Sequence, residues 1–207
     1  MTAPITLYRH PKSGHCHRVE LMMSFLGLDY RTVDLDMANG AHKAEDYLKI
    51  SPLGQVPAID DGGLTLSDAN AILVYLASRY GDDGWTGRPP AEKAEIQRWL
   101  SIAAGEIASG PAAARLVTVF GATLDHDAAK AKAHALFVVM NKALEGRTFL
   151  VAERLTVADV AAYSYIAHAP EGGVSLDAYP NIRAWLSRIE AQPNFVGMAR
   201  SPVPSPA

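Results

Sequence analysis

The sequence predicts an α/β domain followed by an all-helical domain. Residues 1–80 mix short β-type runs with helical spacing, whereas residues 91–207 carry almost only alanine-rich helical periodicity. Between them, residues 81–90 read GDDGWTGRPP, and this concentration of Gly, Asp and Pro is typical of a linker. A chain of 207 residues is long enough for two small domains. We therefore expect a domain at each end and a linker between them.

The predicted elements of the first domain follow the order β-α-β-α-β-β-α. PITLYR is a β-type run, and residues 15–26 place apolar side chains at helical spacing before Gly27, a typical helix end. YRTVDLD predicts a second strand, and HKAEDYLKI predicts a short helix that ends at Ser51-Pro52. VPAIDDGGLTLS predicts a hairpin, and DANAILVYLASRY predicts the last helix. Together they imply a small mixed sheet with helices on it.

The second domain is expected to be built from helices. The predicted segments are AEKAEIQRWLSIAAGEIASG, HDAAKAKAHALFVVMNKALEG, TVADVAAYSYIAHA and YPNIRAWLSRIEAQ. The third of these begins with Thr156 and Asp159, at the spacing of a capping box with Asp in place of Glu. We interpret Asp159 as a structural capping residue that has no part in catalysis.

Composition and charge argue against several classes of function. The net charge is -3 and no long run of Lys or Arg occurs, so a nucleic-acid surface is not expected. No apolar run in the sequence approaches the roughly 18 residues of a membrane span, and the first residues lack the features of a signal peptide. The single cysteine cannot form an internal disulfide, which fits a reducing compartment. We therefore expect a cytoplasmic protein.

The stretch YRHPKSGHCH, residues 8–17, concentrates histidines, a serine and the only cysteine. His10, His15, Cys16 and His17 raise the question of a metal site. Neighbouring helix positions do not share a face, and no second His or Cys pair stands at zinc-finger spacing, so we expect no metal. Cys16 lies near a predicted helix N-terminus, where the helix dipole lowers a thiol pKa and favours thiolate chemistry. The alternative for Cys16 is a small buried side chain.

Several segments share the motifs of one known family. SGHCHRV has the pattern Ser-x-x-(Ser/Cys)-x-Arg-Val, GAHKAEDYLKISPLGQVPAI resembles G-x-H-x(4)-(Phe/Tyr)-x(3)-N-P-x-G-x-V-P, and SDANAILVYL resembles T-E-S-N-A-I-x-x-Y-L. TVADVAAYSYI and YPNIRAWLSRIEAQP match segments of a helical domain. Through the order and spacing of these segments, the chain resembles a cytosolic glutathione S-transferase of the bacterial, theta- or zeta-like serine type. The resemblance implies a thioredoxin-like N-terminal domain, an all-helical C-terminal domain and a homodimer.

The resemblance also implies the chemistry, in which an ionised glutathione thiol attacks a hydrophobic electrophile. Ser13, just ahead of the first helix, matches the serine that donates a hydrogen bond to the thiolate, although a simple helix N-cap is the alternative. Tyr8 is the main competitor, because tyrosine classes place the donor at the end of the first strand. Cys16 is the third candidate, because cysteine classes form a mixed disulfide with glutathione.

The residues expected to bind glutathione lie in two of these segments. The Val56-Pro57 step matches a cis-proline that turns the backbone of Val56 toward the cysteinyl part of the ligand. Asp68 and Ala69 match a Glu-Ser pair that holds the γ-glutamyl end, and Ala69 lacks the hydroxyl, leaving its backbone N–H at a helix N-terminus. The predicted contacts near the glycyl carboxylate, for which a solvated helix face is the alternative, are His42, Lys43 and Gln55.

The electrophile is expected between the domains, and its candidate residues, chosen by position only, are Trp99, Ile102, Ile107 and Arg115. Two other functions stay open. One is a glutathione-dependent reductase of disulfides or peroxides, or an isomerase, although Gly14 and His15 stand where the zeta motif has its paired serine and cysteine. The other is a non-catalytic binding protein, which the missing hydroxyl at Ala69 motivates.

Overall fold

The computed structural model describes residues 4–204, which form two compact units. The first unit runs to Asp83 and also includes Pro193–Ala199. The second unit runs from Gly84 to Gln192 and resumes at Arg200. The division falls inside the stretch predicted as a linker, and a single helical turn, α4 (Asp83–Thr86), lies there. The return of the chain to the first unit after residue 192 has no counterpart among the sequence predictions.

In the described part of the first unit, four strands form one sheet in the order β2-β1-β3-β4. These strands are β1 (Ile5–Arg9), β2 (Tyr30–Asp34), β3 (Ala58–Asp61) and β4 (Leu64–Ser67). Strand β1 pairs parallel with β2 and antiparallel with β3, so it is central. Gly62 and Gly63, both at positive φ, close the hairpin between β3 and β4, because this tight turn needs residues that tolerate positive φ.

The helices of the first unit complete the predicted β-α-β-α-β-β-α order, which is confirmed. They are α1 (Gly14–Phe25), α2 (Glu45–Ile50) and α3 (Ala69–Tyr80), and a 3₁₀ turn at Ala41–Lys43 precedes α2. Helices α1 and α3 contact each other and the sheet. Leu7, Val19, Met22, Ile59 and Leu73 are fully buried, and each such side chain contributes about 1.5–3 kcal/mol relative to exposure. This is the thioredoxin-like arrangement that the resemblance implies.

The segment Pro193–Ala199 is tied to α1 by two hydrogen bonds. His17 Nε2 donates to the carbonyl oxygen of Val196 at 2.9 Å, and Ser24 Oγ donates to that of Asn194 at 2.6 Å. His17 is buried. One histidine of the N-terminal cluster is therefore engaged in holding this returning segment.

The second unit is helical. Its longer helices are α5 (Pro90–Ile102), α6 (Ala113–Phe120), α7 (His126–Ala143), α8 (Val157–Ala167) and α9 (Pro180–Glu190), and a π-helical segment spans Ala103–Ala112. None of the helices in residues 4–204 is both long enough and apolar enough to cross a membrane.

The helical path continues past Gly110, the last residue of the first predicted helical segment. Pro111 lies inside the π-helical segment, and α6 follows directly. In an α-helical turn the proline ring meets the carbonyl four residues earlier and removes a hydrogen bond. The wider π turn accommodates the ring, because its hydrogen bonds reach five residues back. The chain therefore bridges from α5 to α6 without a break.

The capping box at the start of α8 is confirmed. The Asp159 carboxylate accepts hydrogen bonds from the backbone N–H and the hydroxyl of Thr156, at 3.0 and 2.9 Å. It also accepts from the backbone of Leu150 and from Trp185 Nε1, both at 2.9 Å. Burial raises the pKa of Asp159, and these bonds to the anion oppose that effect. Asp159 thus anchors the start of α8, as the sequence predicts.

Candidate active site

A pocket of about 430 Å³ lies in the first unit. All seven residues predicted to bind glutathione line it: His42, Lys43, Gln55, Val56, Pro57, Asp68 and Ala69. His15, Met37 and Gly54 complete the lining. None of these three was predicted to bind glutathione, although His15 and Gly54 both lie inside matched family motifs. The pocket therefore unites the first turn of α1, the 3₁₀ turn, the loop before β3 and the start of α3.

The loop between α2 and β3 is held by partly buried hydrogen bonds. Ser51 is buried, and its hydroxyl donates to the carbonyl oxygen of Gln55 at 2.9 Å. The same carbonyl accepts from the Tyr47 hydroxyl at 2.7 Å. The peptide bond between Val56 and Pro57 is cis, as the resemblance implies. The carbonyl of Gln55, the residue before this step, accepts two hydrogen bonds, so the Val56-Pro57 step has a fixed place at the pocket wall.

The 3₁₀ turn lies directly against this loop. Lys43 Nζ donates to the carbonyl oxygen of Leu53 at 3.0 Å. Gly54 has a φ of +59°, and a Cβ there would lie 2.6 Å from the carbonyl oxygen of His42. Within the described residues, His42 Nδ1 is buried without a hydrogen-bond partner. Such a buried polar atom is costly unless a ligand or water satisfies it.

The start of α3 contributes Asp68 and Ala69 to the pocket lining. Asp68 is the helix N-cap, and its Oδ1 accepts a hydrogen bond from the backbone N–H of Ala71 at 2.9 Å. Its φ of 76° is unusual for a residue other than glycine, and such strain concentrates at ligand sites. Ala69 is the first helical residue and is buried. The positive end of the helix dipole therefore lies at the pocket.

Ser13 is the N-cap of α1. Its Oγ accepts a hydrogen bond from the backbone N–H of Cys16 at 3.4 Å, and its own N–H donates to the carbonyl oxygen of His10. Ser13 is half-buried. A hydroxyl that accepts in a cap still carries a proton to donate, so capping and thiol activation are compatible roles. Of the described residues, neither Ser13 nor the two fallback candidates are among those that line the pocket.

Cys16 is buried, and burial raises the pKa of its thiol to about 11. Desolvation of the thiolate outweighs the favourable partners, which favours the alternative of a small buried side chain at Cys16 over thiolate chemistry. The Cys16 Sγ accepts a hydrogen bond from the backbone N–H of His10 at 3.4 Å. The thiol is therefore almost fully protonated at neutral pH and is a poor nucleophile.

Tyr8 lies on the central strand β1, opposite Val33 and Ala58. Its ring meets that of Tyr47 edge to face, with centroids 5.8 Å apart. The residue is half-buried. This edge-to-face contact explains part of the placement of Tyr8.

His15 and Arg18, near the start of α1, differ in charge at neutral pH. Burial, with a smaller effect of the Arg18 charge, lowers the pKa of His15 to about 3, so its imidazole is neutral at pH 7. Arg18 is itself buried, and its Nη1 donates to the Asn70 side-chain oxygen at 2.9 Å. This bond links α1 to the first turn of α3. Within residues 4–204, no group of three or more His, Cys, Asp or Glu side chains could hold a metal ion.

The candidates for the electrophile site lie in the second unit, and the structure gives them different environments. Ile102 lines a pocket of about 530 Å³ between α5, the π-helical segment and α7, whereas Trp99, Ile107 and Arg115 are buried. Arg115 Nε donates to the Glu171 carboxylate at 2.7 Å, in a buried ion pair. Their part in electrophile binding stays a prediction.

Two family models match the chain. The glutathione S-transferase N-terminal domain matches residues 3–78, and the C-terminal domain of the same family matches residues 120–193. The chain is 31% identical to "Glutathione S-transferase 3" of Zea mays, over 99% of this chain and 97% of that protein.

Solved structures agree with these matches. A glutathione S-transferase from Pseudomonas fluorescens has a TM-score of 0.87 and 28% identity, covering 95% of this chain and 99% of that one. A glutathione transferase homolog from Drosophila mojavensis, solved with bound glutathione, has a TM-score of 0.83 and 25% identity, covering 93% and 90%. By its family domains, its relatives and its fold, this chain belongs to the glutathione S-transferase family.

Proposed function

We propose that this glutathione S-transferase binds glutathione in the pocket of its first unit and activates the thiol through Ser13. The observation that carries the proposal is the gathering of all seven predicted glutathione contacts around one pocket. They come from three separate stretches of the chain, residues 42–43, 55–57 and 68–69, so their meeting is not a consequence of chain proximity. The activated thiolate then attacks a hydrophobic electrophile.

The charges of the lining suit an extended glutathione molecule, which carries two carboxylates and one ammonium group at neutral pH. Lys43 and His42 are placed on one turn and provide donors for the glycyl carboxylate. Asp68 provides a carboxylate for the ammonium group, and the backbone N–H of Ala69 at the helix N-terminus favours the γ-glutamyl carboxylate. The backbone of Val56 pairs with the cysteinyl part in the manner of an added strand.

Thiol activation requires stabilisation of the anion. A free thiol with a pKa of ~8.5 is about 3% ionised at pH 7, and lowering the pKa by about two units raises this to roughly three quarters. The shift needs about 2.7 kcal/mol of differential stabilisation. A hydrogen bond from the Ser13 hydroxyl together with the N-terminus of α1 supplies stabilisation of this kind.

Glutathione binding and the ultraviolet absorbance of the bound thiolate test the proposal. We expect the wild-type protein to bind reduced glutathione and to show the thiolate band near neutral pH. Ser13→Ala should retain glutathione binding and lose the thiolate band. Its kcat/KM should fall by at least about tenfold, which corresponds to about 1.4 kcal/mol of transition-state stabilisation. Ser13→Thr keeps a hydroxyl and is the matched control.

The outcomes separate the possible roles of the first helix. A thiolate band that persists in Ser13→Ala would refute activation by Ser13 and direct attention to Tyr8. Absence of glutathione binding by the wild type would refute the whole proposal. Because Ser13 also caps α1, the unfolding free energy of each variant is measured beside its activity, with a loss of about 1 kcal/mol expected for alanine.

The family membership extends the proposal to assembly and location. We infer that the protein acts as a homodimer in the cytoplasm, which fits its single buried cysteine. Sedimentation at micromolar concentration tests the dimer, and a monomer at every concentration would contradict it. The identity of the electrophile is best sought by screening aromatic halides, epoxides and activated alkenes in a conjugation assay.

A further inference from the structure

His15 places a polar side chain in the pocket for which no glutathione contact was predicted. It shares the lining with Asp68 and Ala69. Helix α1, which carries His15, contacts α3, which Asp68 and Ala69 begin. Arg18, three residues after His15, donates a hydrogen bond to the side chain of Asn70, the residue after Ala69. The start of α1 therefore lies beside the start of α3, where the proposed function puts the γ-glutamyl end of glutathione.

The protonation state of His15 suits a neutral hydrogen-bond donor. Burial and the Arg18 charge lower the pKa of His15 to about 3. A neutral imidazole carries one N–H donor and one acceptor, so at pH 7 it can donate to a carboxylate without repelling the neighbouring ammonium group. Its donor capacity is also constant over the whole neutral range of pH.

The surroundings of His15 favour an anion. Arg18 is buried and donates to the side chain of Asn70, the residue that follows Ala69. The N-terminus of α3 adds its dipole at the same place. A positive charge and a helix N-terminus therefore meet beside a pocket wall where Ala69 contributes no side-chain donor.

We propose that His15 donates a hydrogen bond to the α-carboxylate of the γ-glutamyl residue of glutathione, in the place of the hydroxyl that Ala69 lacks. The inference rests on the proposed function, because it needs glutathione in this pocket. It makes His15 a specificity residue, one that distinguishes a γ-glutamyl group with its carboxylate from one without it. Ser13 and His15 then act at different ends of the same helical turn, one on the thiol and one on the carboxylate.

Calorimetry with two ligands tests this assignment. The first ligand is glutathione, and the second is 4-aminobutyryl-cysteinyl-glycine, which lacks only the α-carboxylate. A hydrogen bond to a charged group changes a Kd by roughly 10- to 100-fold. We expect His15→Ala to weaken glutathione binding by roughly tenfold and to leave the analogue nearly unchanged. The matched control is His134→Gln, an exposed histidine of the second unit, which should change neither Kd.

A rescue experiment tests whether His15 and position 69 serve the same group. Ala69→Ser in the His15→Ala background should recover most of the lost affinity for glutathione and none for the analogue. His15→Gln, which keeps an N–H donor, should bind glutathione better than His15→Ala and provides a second variant if alanine disturbs α1. Thermal unfolding of each variant identifies such disturbance.

The results that would overturn the inference differ from those that would overturn the proposed function. Equal weakening of both ligands by His15→Ala and His15→Gln, or unchanged binding of glutathione, would show that His15 does not recognise the carboxylate. The thiolate band per bound glutathione should survive in His15→Ala, because Ser13 is intact. Failure of the wild type to bind glutathione would instead refute the proposed function, and this inference with it.

Discussion

The hydroxyl of Tyr47 donates a hydrogen bond of 2.7 Å to the carbonyl oxygen of Gln55, across the loop that leads to the pocket. The same carbonyl accepts from Ser51 Oγ at 2.9 Å. Tyr47 also meets the ring of Tyr8 on the central strand, with centroids 5.8 Å apart. One side chain of α2 therefore ties the sheet to the loop that carries Val56 into the pocket wall.

Tyr47→Phe tests whether this tie positions the pocket. The substitution keeps the ring contact and removes one hydrogen bond, so we expect a loss of about 1 kcal/mol in the free energy of unfolding. Because the Gln55 carbonyl keeps its bond from Ser51, glutathione affinity should fall only by roughly three- to tenfold. Denaturant unfolding and calorimetry measure the two effects.

The control for this prediction is Tyr80→Phe. The Tyr80 hydroxyl donates to the Asp61 carboxylate at an exposed position, and Tyr80 does not line the pocket among the described residues. We expect its glutathione affinity to match the wild type. Equal affinity in Tyr47→Phe and Tyr80→Phe would show that the Gln55 carbonyl is held well enough without the tyrosine.

Two glycines with nearly the same φ separate backbone strain from steric contact. Gly54 and Gly62 have φ values of +59° and +62°. A Cβ at Gly54 would lie 2.6 Å from the His42 carbonyl oxygen and 2.8 Å from Lys43 Nζ, whereas a Cβ at Gly62 meets nothing within 4 Å. Only the first substitution therefore forces the 3₁₀ turn away from the loop.

Gly54→Ala should consequently cost more than Gly62→Ala. The unfavourable φ costs about 1 kcal/mol in both variants, and the contact at Gly54 adds about 1–3 kcal/mol to the loss of stability. Glutathione binding should weaken only in Gly54→Ala, because that substitution displaces two residues of the pocket lining. Denaturant midpoints and Kd values for both variants provide the check, and equal losses would contradict the contact argument.

The reactivity of Cys16 gives a prediction with one clean readout, because the chain has a single cysteine. With a thiol pKa of about 11, the ionised fraction at pH 7 is about one in ten thousand. Iodoacetamide should therefore label the native protein far more slowly than the unfolded chain at pH 7–9. Cys16→Ala should retain conjugation activity, which also separates this site from one that uses a mixed disulfide.

Rapid labelling of the native protein near pH 8, or loss of activity in Cys16→Ala with an unchanged unfolding midpoint, would restore Cys16 as a catalytic candidate. Mass spectrometry after timed labelling measures the first outcome. The comparison with protein unfolded in denaturant removes differences that arise from the reagent alone.

Local sequence signals explain the parts of the fold that could be predicted. The Asp61-Gly62-Gly63 turn and the helix end at Gly27 each act within a few residues, so such signals predict the order of elements in the first unit. The capping box at Asp159, in the second unit, is an equally local signal. The pocket lining was predicted for a different reason. Its residues lie in family motifs, and those motifs carry spatial information that periodicity lacks.

Long-range effects explain what sequence reasoning missed. The hydrogen bond of His17 to Val196 joins positions 179 residues apart, and nothing near either residue indicates it. Pro111 gives a local signal for a helix end, which the π-helical path overrides. The pKa of Cys16 depends on burial, and the rotation of α1 that places His15 in the pocket is likewise set by tertiary contacts.

A buried cluster in the second unit predicts how stability depends on pH. His168 Nδ1 lies 2.6 Å from the Glu171 carboxylate, which also accepts from Arg115. Burial lowers the pKa of His168 below 6.5, helped by the charges of Arg115 and Arg200 and opposed by Glu171. For Glu171, burial favours the neutral form, but hydrogen bonds from His168, the Ser201 backbone and Arg115 hold its pKa below 4.5.

Both shifts make the folded protein less stable in acid. Below pH 6.5, His168 binds a proton in the unfolded chain but remains neutral in the folded protein. The free energy of unfolding therefore falls as the pH drops toward the pKa of His168 in the folded state. Below pH 4.5 the same holds for Glu171. His168→Asn should flatten the decline that begins as the pH falls through 6.5 and leave the loss below 4.5, since Asn does not titrate. Thermal unfolding at closely spaced pH values measures the slopes, with the exposed His134→Gln as the control. The lowered pKa of His15 makes stability depend on pH in the same direction, so His168→Asn flattens the decline only in part. Identical slopes of stability against pH in His168→Asn and the wild type would refute the role of His168.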